Sequence, residues 1–170
     1  TAVEAAIDKA QGDILTTSCG FLCYWQGRLE ARTATTFVSS ALLALPSLRQ
    51  MFADAELAIL TFNADVLGSP AFAPSLGGFE GPIVDLGEES HLRQVISNNL
   101  SALDRQRAED EIVRLVDGMC ADGKVKALIL ECTNLPPYKQ ALKAKFDIEI
   151  FDILTLIDSI KPNLVDPAYL

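Results

Sequence analysis

Two cysteines stand where short apolar runs of the sequence end. Cys132 comes just after Ala127–Leu130, an unbroken run, and Cys19 follows an apolar pair in the stretch 13–22. Such runs are typical of strands covered on both faces in a parallel sheet, and ligands bind at the carboxyl ends of these strands. A thiol at that point precedes a helix, whose N-terminal dipole favours the thiolate.

A thiolate can act as a nucleophile, a metal ligand or a proton acceptor. A nucleophile normally has a base beside it, and the single histidine, His91, lies at the start of a helix that we expect to be peripheral. A metal site would need more ligands than two thiols supply. Two thiols at matching strand ends suit a third use, in which one removes a proton from a carbon atom and the other returns a proton to the opposite face. This pattern predicts a racemase or isomerase that uses Cys19 and Cys132 and no cofactor.

The acidic neighbour of the second thiol bears on this chemistry. A free cysteine titrates near pH 8.5, so a thiolate base at neutral pH needs its pKa lowered by roughly one or two units. A helix N-terminus supplies about one unit, and nearby hydroxyls and amides would supply the rest. Glu131 would oppose the thiolate of Cys132. We therefore expect the Glu131 side chain to point away from the site or to contact a cation.

The sequence matches itself at an offset of about 113 positions. At this offset Cys19 lies on Cys132, and the strand-like pair at 38–39 lies on the pair at 151–152. Each half then reads as strand, thiol, helix, strand and helix. The match predicts two pseudo-symmetric α/β units, each with one thiol at a strand end.

The alternation of strands and helices predicts an α/β fold with mainly parallel sheets and flanking helices. We expect a first lobe in residues 1–50, with 153–170 packing back on it, and a second lobe in residues 51–152. Residues 68–81 are rich in glycine and proline, which predicts a surface loop without a regular helix or strand through 71–76. The first half contains fewer strands than the second before its cysteine. The repeat therefore leads us to expect a first lobe that is incomplete at its N-terminus, by an order of 50–60 residues.

Composition and charge exclude several classes of partner. The formal net charge is −9 and the calculated isoelectric point is about 4.5, which argues against nucleic acid or an anionic membrane. No apolar run approaches the length of a membrane span. The four cysteines have no disulfide or zinc spacing, and free thiols suit a reducing cytoplasm. We expect a small carboxylate-bearing substrate as the partner. The sequence leaves open whether the protein forms a homo-oligomer.

The motifs around both cysteines resemble those of the aspartate/glutamate racemase superfamily. TTSCGF surrounds Cys19 and LECTNLPPY surrounds Cys132, and the resemblance extends over nearly the whole chain. It implies two pseudo-symmetric α/β lobes with the substrate between the cysteines, and neither a metal nor pyridoxal phosphate. The superfamily also includes hydantoin racemases, maleate isomerases and arylmalonate decarboxylases, and these reactions remain alternatives, as does a non-catalytic protein that only binds a small molecule.

The resemblance also implies the roles of individual residues. Cys19 and Cys132 would be the acid/base pair, and the candidates for substrate binding are Ser18, Gly20, Thr61, Thr133 and Asn134. Two departures concern the substrate. Phe21 stands in a segment where glutamate racemases carry Asn-Thr, and Asn134 stands where they carry a histidine. The apolar Phe21 argues against aspartate or glutamate as the substrate.

Several other polar residues and thiols have simpler interpretations. Cys23 and Cys120 are expected in the core, because free cysteine is among the most buried residue types. Ser39, Ser40 and Asp152 are expected to cap helices. Lys139, Lys143 and Lys145 are expected to form a solvated helix face.

Overall fold

The strands and helices alternate along the chain, and every strand pair is parallel. The computed structural model describes all residues from Thr1 to Leu170. The strands are β1 (Ile14–Thr16), β2 (Thr36–Val38), β3 (Leu57–Thr61), β4 (Ile83–Asp85), β5 (Ala127–Leu130) and β6 (Glu149–Phe151). The α-helices are α1 (Ala2–Ile7), α2 (Gln26–Glu30), α3 (Leu45–Leu48), α4 (Ala64–Leu67), α5 (Ala73–Leu76), α6 (His91–Ser97), α7 (Arg105–Cys120), α8 (Lys139–Lys145) and α9 (Ile153–Ile160). Short 3₁₀ helices span Gly20–Trp25, Ala41–Ala44, Asp54–Glu56, Pro70–Phe72, Pro136–Tyr138 and Pro167–Tyr169.

The six strands form two sheets. One has four strands in the order β4-β3-β5-β6, and the other consists of β1 and β2 alone. The central strands β3 and β5 are buried along their whole length, as their unbroken apolar sequences predicted. The structure thus confirms the α/β fold with parallel sheets and flanking helices.

The strand register repeats at the offset of the internal sequence match. In the small sheet Ile14 pairs with Thr36, and in the large sheet Ala127 pairs with Glu149. Both members of the second pair lie about 113 positions after those of the first. The two cysteines therefore follow strands that pair with their neighbours in the same way, which is the structural basis of the pseudo-symmetry.

Each face of the large sheet covers a separate hydrophobic cluster, because side chains alternate along a strand. Leu128 and Leu130 pack with α7 residues such as Ile112 and Val116. On the opposite face, Ile129 packs with Leu57, Ile59 and side chains of the segments 41–48 and 67–79. Burial of each such Leu or Ile side chain stabilises the fold by about 1.5–3 kcal/mol.

The last helix reaches back to the small sheet. Ile153 and Ile157 of α9 form a cluster with Val38 of β2, and Ile14 of β1 packs against it. Ile7, Leu15, Leu29 and Phe37 form a further small cluster on α1, α2 and the small sheet. None of the helices combines the length and the apolar character needed to cross a bilayer.

The prediction of a loop without regular structure in 68–81 is wrong. Pro70–Phe72 is a 3₁₀ helix and Ala73–Leu76 is a turn of α-helix that ends at Gly77, which has a positive φ of 55°. Phe72, Leu76 and Phe79 are buried in one cluster, and their spacing is that of a helix face. Both prolines stand at the start of a helical turn, where the missing N–H costs no hydrogen bond. Glycine and proline here shape short helices.

Candidate active site

Both strand-end thiols line one cavity of about 310 Å³. The cavity lies where the chain leaves β1 and β5, and its other residues come from the segments that follow β3 and from α6. Its lining residues are Ser18, Cys19, Gly20, Phe21, Phe62, Ile96, Glu131, Cys132, Thr133 and Asn134. The structure thus brings together all the predicted site residues except Thr61. A cavity of this size accommodates a small molecule.

A larger cavity of about 540 Å³ adjoins the first through Thr133 and Asn134. Its lining includes Arg105, Tyr138, Lys139 and, from the chain end, Tyr169, and it includes neither Cys19 nor Cys132. We place the candidate chemistry in the smaller cavity because the two reactive groups face it. This smaller space is called the thiol cavity below.

Cys132 is buried at the inner end of the thiol cavity. Its side chain packs in the core cluster beneath α7, and it is 6% exposed. Burial raises the pKa of the Cys132 thiol, and hydrogen bonds from Asn134 oppose this effect; the Asn134 amide nitrogen lies 3.7 Å from Sγ. The negative charge of Glu131 raises the same pKa further. In the free protein Cys132 therefore holds its proton at neutral pH, which suits a proton donor.

The helix-dipole argument for a Cys132 thiolate does not apply. After Cys132 the chain passes through Thr133 and Asn134 to the 3₁₀ helix Pro136–Tyr138, and α8 starts only at Lys139. The dipole effect is confined to the first turn of a helix. The predicted lowering of the pKa is thus absent, and burial dominates instead.

Cys19 is exposed at the outer side of the thiol cavity. It lies directly before the 3₁₀ helix Gly20–Trp25. The loop is held by Thr17, whose hydroxyl lies 2.9 Å from the carbonyl oxygens of both Cys19 and Ser39. The second contact ties the end of β1 to the residue after β2. Cys19 is therefore exposed but carried by an anchored loop.

The two strand ends are joined directly across the thiol cavity. The Thr133 hydroxyl donates a hydrogen bond of 2.6 Å to the carbonyl oxygen of Ser18. This bond links residues next to the two cysteines and so fixes the relative position of their loops. The proton of the Thr133 hydroxyl is thereby engaged in the protein itself, whereas Asn134 is exposed.

Glu131 behaves differently from the expectation. Its side chain neither points away nor contacts a cation: it lines the thiol cavity, 1% exposed. One oxygen, Oε2, accepts a hydrogen bond of 2.7 Å from the Thr61 hydroxyl, and the other, Oε1, has no partner. Burial raises the pKa of Glu131 to about 7, and the bond from Thr61 opposes this effect. The cause is the alternation along β5, which turns Glu131 to the same face of the sheet as Ile129.

Thr61 does not contact the thiol cavity, contrary to the expectation of a substrate contact. It is completely buried at the end of β3, and it donates its hydroxyl proton to Glu131. Thr61 continues the face of Ile59, so its side chain lies beneath the cavity floor. Its role at the site passes through Glu131.

Three apolar side chains form the remaining wall of the thiol cavity. Phe21 was noted in the sequence, whereas Phe62 after β3 and Ile96 on α6 were missed. The position of Phe62, the first residue after a buried strand, is the signal that would have found it. Behind the wall, the guanidinium carbon of Arg93 lies 5.4 Å from the centre of the Phe62 ring, and Arg93 is paired with Asp85 at 3.3 Å.

Lys139 does not belong to a solvated helix face, as had been predicted. Its side chain is 1% exposed, and its Nζ lies 3.2 Å from Oδ2 of Asp152, which is also buried. Burial lowers the pKa of Lys139, and the charge of Asp152 opposes this effect. Asp152 also caps α9 as expected, by accepting a hydrogen bond of 2.8 Å from the Thr155 amide. The pair fixes α8 and α9, which follow the second thiol.

The sequence relatives of this chain are enzymes that act on a sulfonium carboxylate. A dimethylsulfoniopropionate lyase from Durusdinium sp. clade D is 27% identical over 169 residues, which cover 94% of this chain and 56% of the relative. Dimethylsulfoniopropionate lyase 5 from Emiliania huxleyi (strain CCMP1516) is 32% identical over 184 residues, with 99% and 36% coverage. The chain thus spans between about a third and somewhat over half of the length of these relatives. No family model matches.

Solved racemases share the fold. Allantoin racemase from Pseudomonas fluorescens superposes with a TM-score of 0.63 at 15% identity, over 94% of this chain and 65% of that chain. Glutamate racemase from Francisella tularensis subsp. tularensis SCHU S4, in complex with D-glutamate, gives 0.53 at 18% identity, with 88% and 55% coverage. Aspartate racemase from Picrophilus torridus gives 0.55 at 19% identity. The chain thus shares the fold of these solved racemases, which agrees with the α/β fold that its cysteine motifs led us to expect.

Proposed function

We propose that this protein is an enzyme that breaks a carbon–hydrogen bond next to the carboxylate of a small molecule, and that the reaction is a racemisation or isomerisation. One observation carries the proposal: two thiols at equivalent strand ends line the same cavity. The two cysteines are far apart along the chain, at positions 19 and 132. An acid/base pair requires that both groups reach the same substrate, and the fold brings both to one small cavity.

The reaction needs one ionised and one protonated thiol. The thiolate removes the proton from the carbon, so that a carbon–hydrogen bond breaks, a sulfur–hydrogen bond forms and the electron pair moves into the carboxylate. The second thiol then gives its proton to the opposite face of the carbon. Cys132, whose pKa is raised by burial, is suited to be the donor in the resting protein. Cys19 is then the base, and the two exchange roles for the opposite enantiomer.

The other residues of the thiol cavity supply binding and orientation. Asn134 carries the amide nearest to the Cys132 sulfur and is the first candidate for holding the substrate carboxylate. Ser18, Gly20 and Thr133 would contribute backbone groups, since the Thr133 hydroxyl is bonded to Ser18. Phe21, Phe62 and Ile96 would exclude water from the reacting carbon.

A second candidate function is a lyase, and the sequence relatives favour it. The first step is the same removal of a proton next to the carboxylate. The electron pair then expels a sulfide from the neighbouring carbon instead of being reprotonated, and an unsaturated carboxylate forms. This reaction requires one base and no second thiol, so the two functions differ in their need for the pair.

Incubation of the protein in deuterated water separates these functions. The substrates are the separate enantiomers of amino acids and hydantoins, together with substituted malonates and dimethylsulfoniopropionate. The reactions are followed by proton NMR and chiral chromatography. Racemisation predicts that deuterium enters the carbon as the enantiomers interconvert. A lyase predicts release of dimethyl sulfide from the sulfonium compound. Binding of these compounds by folded protein, without exchange or release, would refute both reactions and support a protein that only binds a ligand.

A further inference from the structure

The charge of the thiol cavity is unusual for a site that is expected to hold a carboxylate. None of its 10 lining residues is a lysine, an arginine or a histidine, and Glu131 is acidic. The only guanidinium noted near the wall, that of Arg93, lies behind Phe62 and is paired with Asp85. A ligand in this cavity therefore meets one carboxyl group and no cationic side chain.

The Glu131 carboxyl group is held in place but is only half satisfied. Thr61 fixes Oε2, while Oε1 is buried and has no hydrogen-bond partner. Gly20 packs directly against this unpartnered oxygen, because a Cβ atom added to Gly20 would overlap Oε1 and would lie 2.5 Å from the Glu131 carbonyl oxygen. A buried polar atom without a partner is costly. The carboxyl group is thus fixed in the lining of the cavity without a cationic partner, and its charge acts on any ligand bound there.

We propose that Glu131 selects substrates by charge: the thiol cavity accepts a monocarboxylate whose other substituent is neutral or cationic, and it rejects dicarboxylates. This inference rests on the proposed function only in taking the thiol cavity as the substrate site. The aromatic rings of Phe21 and Phe62 in the same wall favour a cation as well. The substrate carboxylate would bind at the opposite end, near Asn134.

The titration of Glu131 gives the selection a pH dependence. Its pKa is about 7, and the ionisable groups around it are the thiols of Cys19, Cys23 and Cys132. Asp85, the register partner of Thr61, is held by Arg93. A cationic ligand binds the ionised form of Glu131, so its affinity rises about tenfold from pH 6 to pH 8. A dicarboxylate binds the protonated form, so its affinity falls about tenfold over the same range.

Three ligands of nearly equal shape test the charge selection by isothermal titration calorimetry. They are 3-(trimethylammonio)propanoate, 4,4-dimethylpentanoate and succinate, which share a two-carbon chain to a carboxylate and end in a cationic, a neutral and an anionic group. At pH 8 we expect the cationic ligand to bind most tightly and succinate at least about tenfold more weakly than it. Succinate binding as tightly as the cationic ligand would overturn the proposal.

Glu131→Gln isolates the charge, because glutamine retains the size and can still accept the Thr61 hydrogen bond. In this variant the preference for the cationic over the neutral ligand should fall to at most about fivefold, which is the contribution of the aromatic rings, and the pH dependence due to Glu131 should disappear. Succinate also titrates in this pH range. The variant retains that part of the pH dependence, which is then subtracted from the result for the unchanged protein. Glu89→Gln, at an exposed position, has the same change in net charge and should leave the affinities unchanged. An unchanged order of affinities in Glu131→Gln would refute the role of Glu131.

Thr61→Val provides a second test that does not alter the carboxyl group. Loss of the hydrogen bond removes the contact that lowers the Glu131 pKa, so the pH dependence of cation binding should move to higher pH. An unmoved midpoint in folded Thr61→Val would contradict the proposal. The binding measurement does not depend on turnover. Charge selection in binding without any deuterium exchange would therefore support the role of Glu131 and refute the proposed reaction. Deuterium exchange without charge selection would support the proposed reaction and refute the role of Glu131.

Discussion

The two thiol-bearing units share one strand register but differ in how they are held together. After β1 and β2, Gln26 accepts a hydrogen bond of 3.1 Å from the Ser39 amide through Oε1 and donates one of 2.9 Å to the Phe37 carbonyl oxygen. At the same offset in the second unit stand Lys139 and Asp152, which form a buried ion pair at 3.2 Å. Neutral hydrogen bonds in one unit thus correspond to a charged contact in the other.

The surroundings of the thiols differ in the same sense. Ser18 precedes the exposed Cys19, and Glu131 precedes the buried Cys132 at the equivalent position. Only the second thiol therefore has a carboxyl group as its neighbour in the sequence, and the pKa of Cys132 is raised both by burial and by the charge of Glu131. A repeated backbone thus places the two thiols at equivalent positions, while local differences in sequence give each thiol different surroundings.

Replacing each thiol is the most severe way to break the pair. Cys19→Ser and Cys132→Ser should each reduce racemisation about 10²–10⁴-fold, because every turnover needs both a base and an acid. One variant should still exchange the α-proton of one enantiomer, since that step needs a single thiolate. Chiral chromatography and NMR in deuterated water measure the two rates separately.

Cys120→Ser is the matched control for these variants, because Cys120 is partly buried on α7 and lines neither cavity. It should leave both rates unchanged. Full racemisation by either Cys19→Ser or Cys132→Ser would rule out the two-base assignment. Loss of activity in Cys19→Ser or Cys132→Ser alone, with sulfide release in the other, would instead favour the lyase.

The sequence predicted the fold and most residues of the candidate site because the relevant patterns are local in the sequence. The apolar runs before the two cysteines are typical of buried strands. Parallel strands have their carboxyl ends at the same edge of a sheet, where ligands bind. The motifs also selected Ser18, Gly20 and Asn134, which line the same cavity as the thiols. These features are local in sequence and repeated, so they survive without knowledge of the packing.

What the sequence could not predict depended on side-chain direction and on distant partners. Glu131 and Thr61 meet only because β3 and β5 are adjacent and both side chains continue the same face of the sheet. The burial of Lys139 depends on Asp152, which comes from a different element of the chain. Long-range pairings of this kind leave no periodic signal, and the same applies to the buried Phe72 in the segment predicted as a loop.

Exchanging the contacts between the units tests whether the ion pair and the neutral bonds are alternative solutions. Asp152→Ser alone leaves the buried Lys139 without an opposite charge, although its hydrogen bond to the Tyr169 carbonyl oxygen remains. Lys139→Gln alone leaves the buried Asp152 without an opposite charge. Each substitution should cost about 3–5 kcal/mol in the free energy of unfolding. The double variant reproduces the residues of the first unit and keeps a serine to cap α9. It should be more stable than either single variant, as measured by chemical denaturation at neutral pH.

Lys145→Gln is the control for loss of a lysine charge. Lys145 is 46% exposed and lies 3.3 Å from Asp117, so its removal should cost at most about 1 kcal/mol. Additive losses in the double variant would show that Lys139 and Asp152 are not coupled. Such a result would mean that the neutral hydrogen bonds of the first unit cannot replace the ion pair of the second unit, although both units share one strand register.

Gly20 offers the smallest effect and the most local test, because its equivalent in the second unit is Thr133, which does carry a side chain. A Cβ atom at Gly20 would lie 2.5 Å from the Glu131 carbonyl oxygen and closer still to its carboxyl group, so Gly20→Ala must displace one strand end from the other. We expect a loss of about 1–3 kcal/mol in the free energy of unfolding, together with weaker ligand binding.

Gly27→Ala in α2 is the control, because a Cβ atom added to Gly27 has no neighbour within 4 Å. This variant should instead stabilise the protein by about 0.5–1 kcal/mol. Thermal unfolding of both variants measures the contrast. If Gly20→Ala were as stable as Gly27→Ala, the close contact between Gly20 and Glu131 would not exist in solution, and the two strand ends would be free to separate.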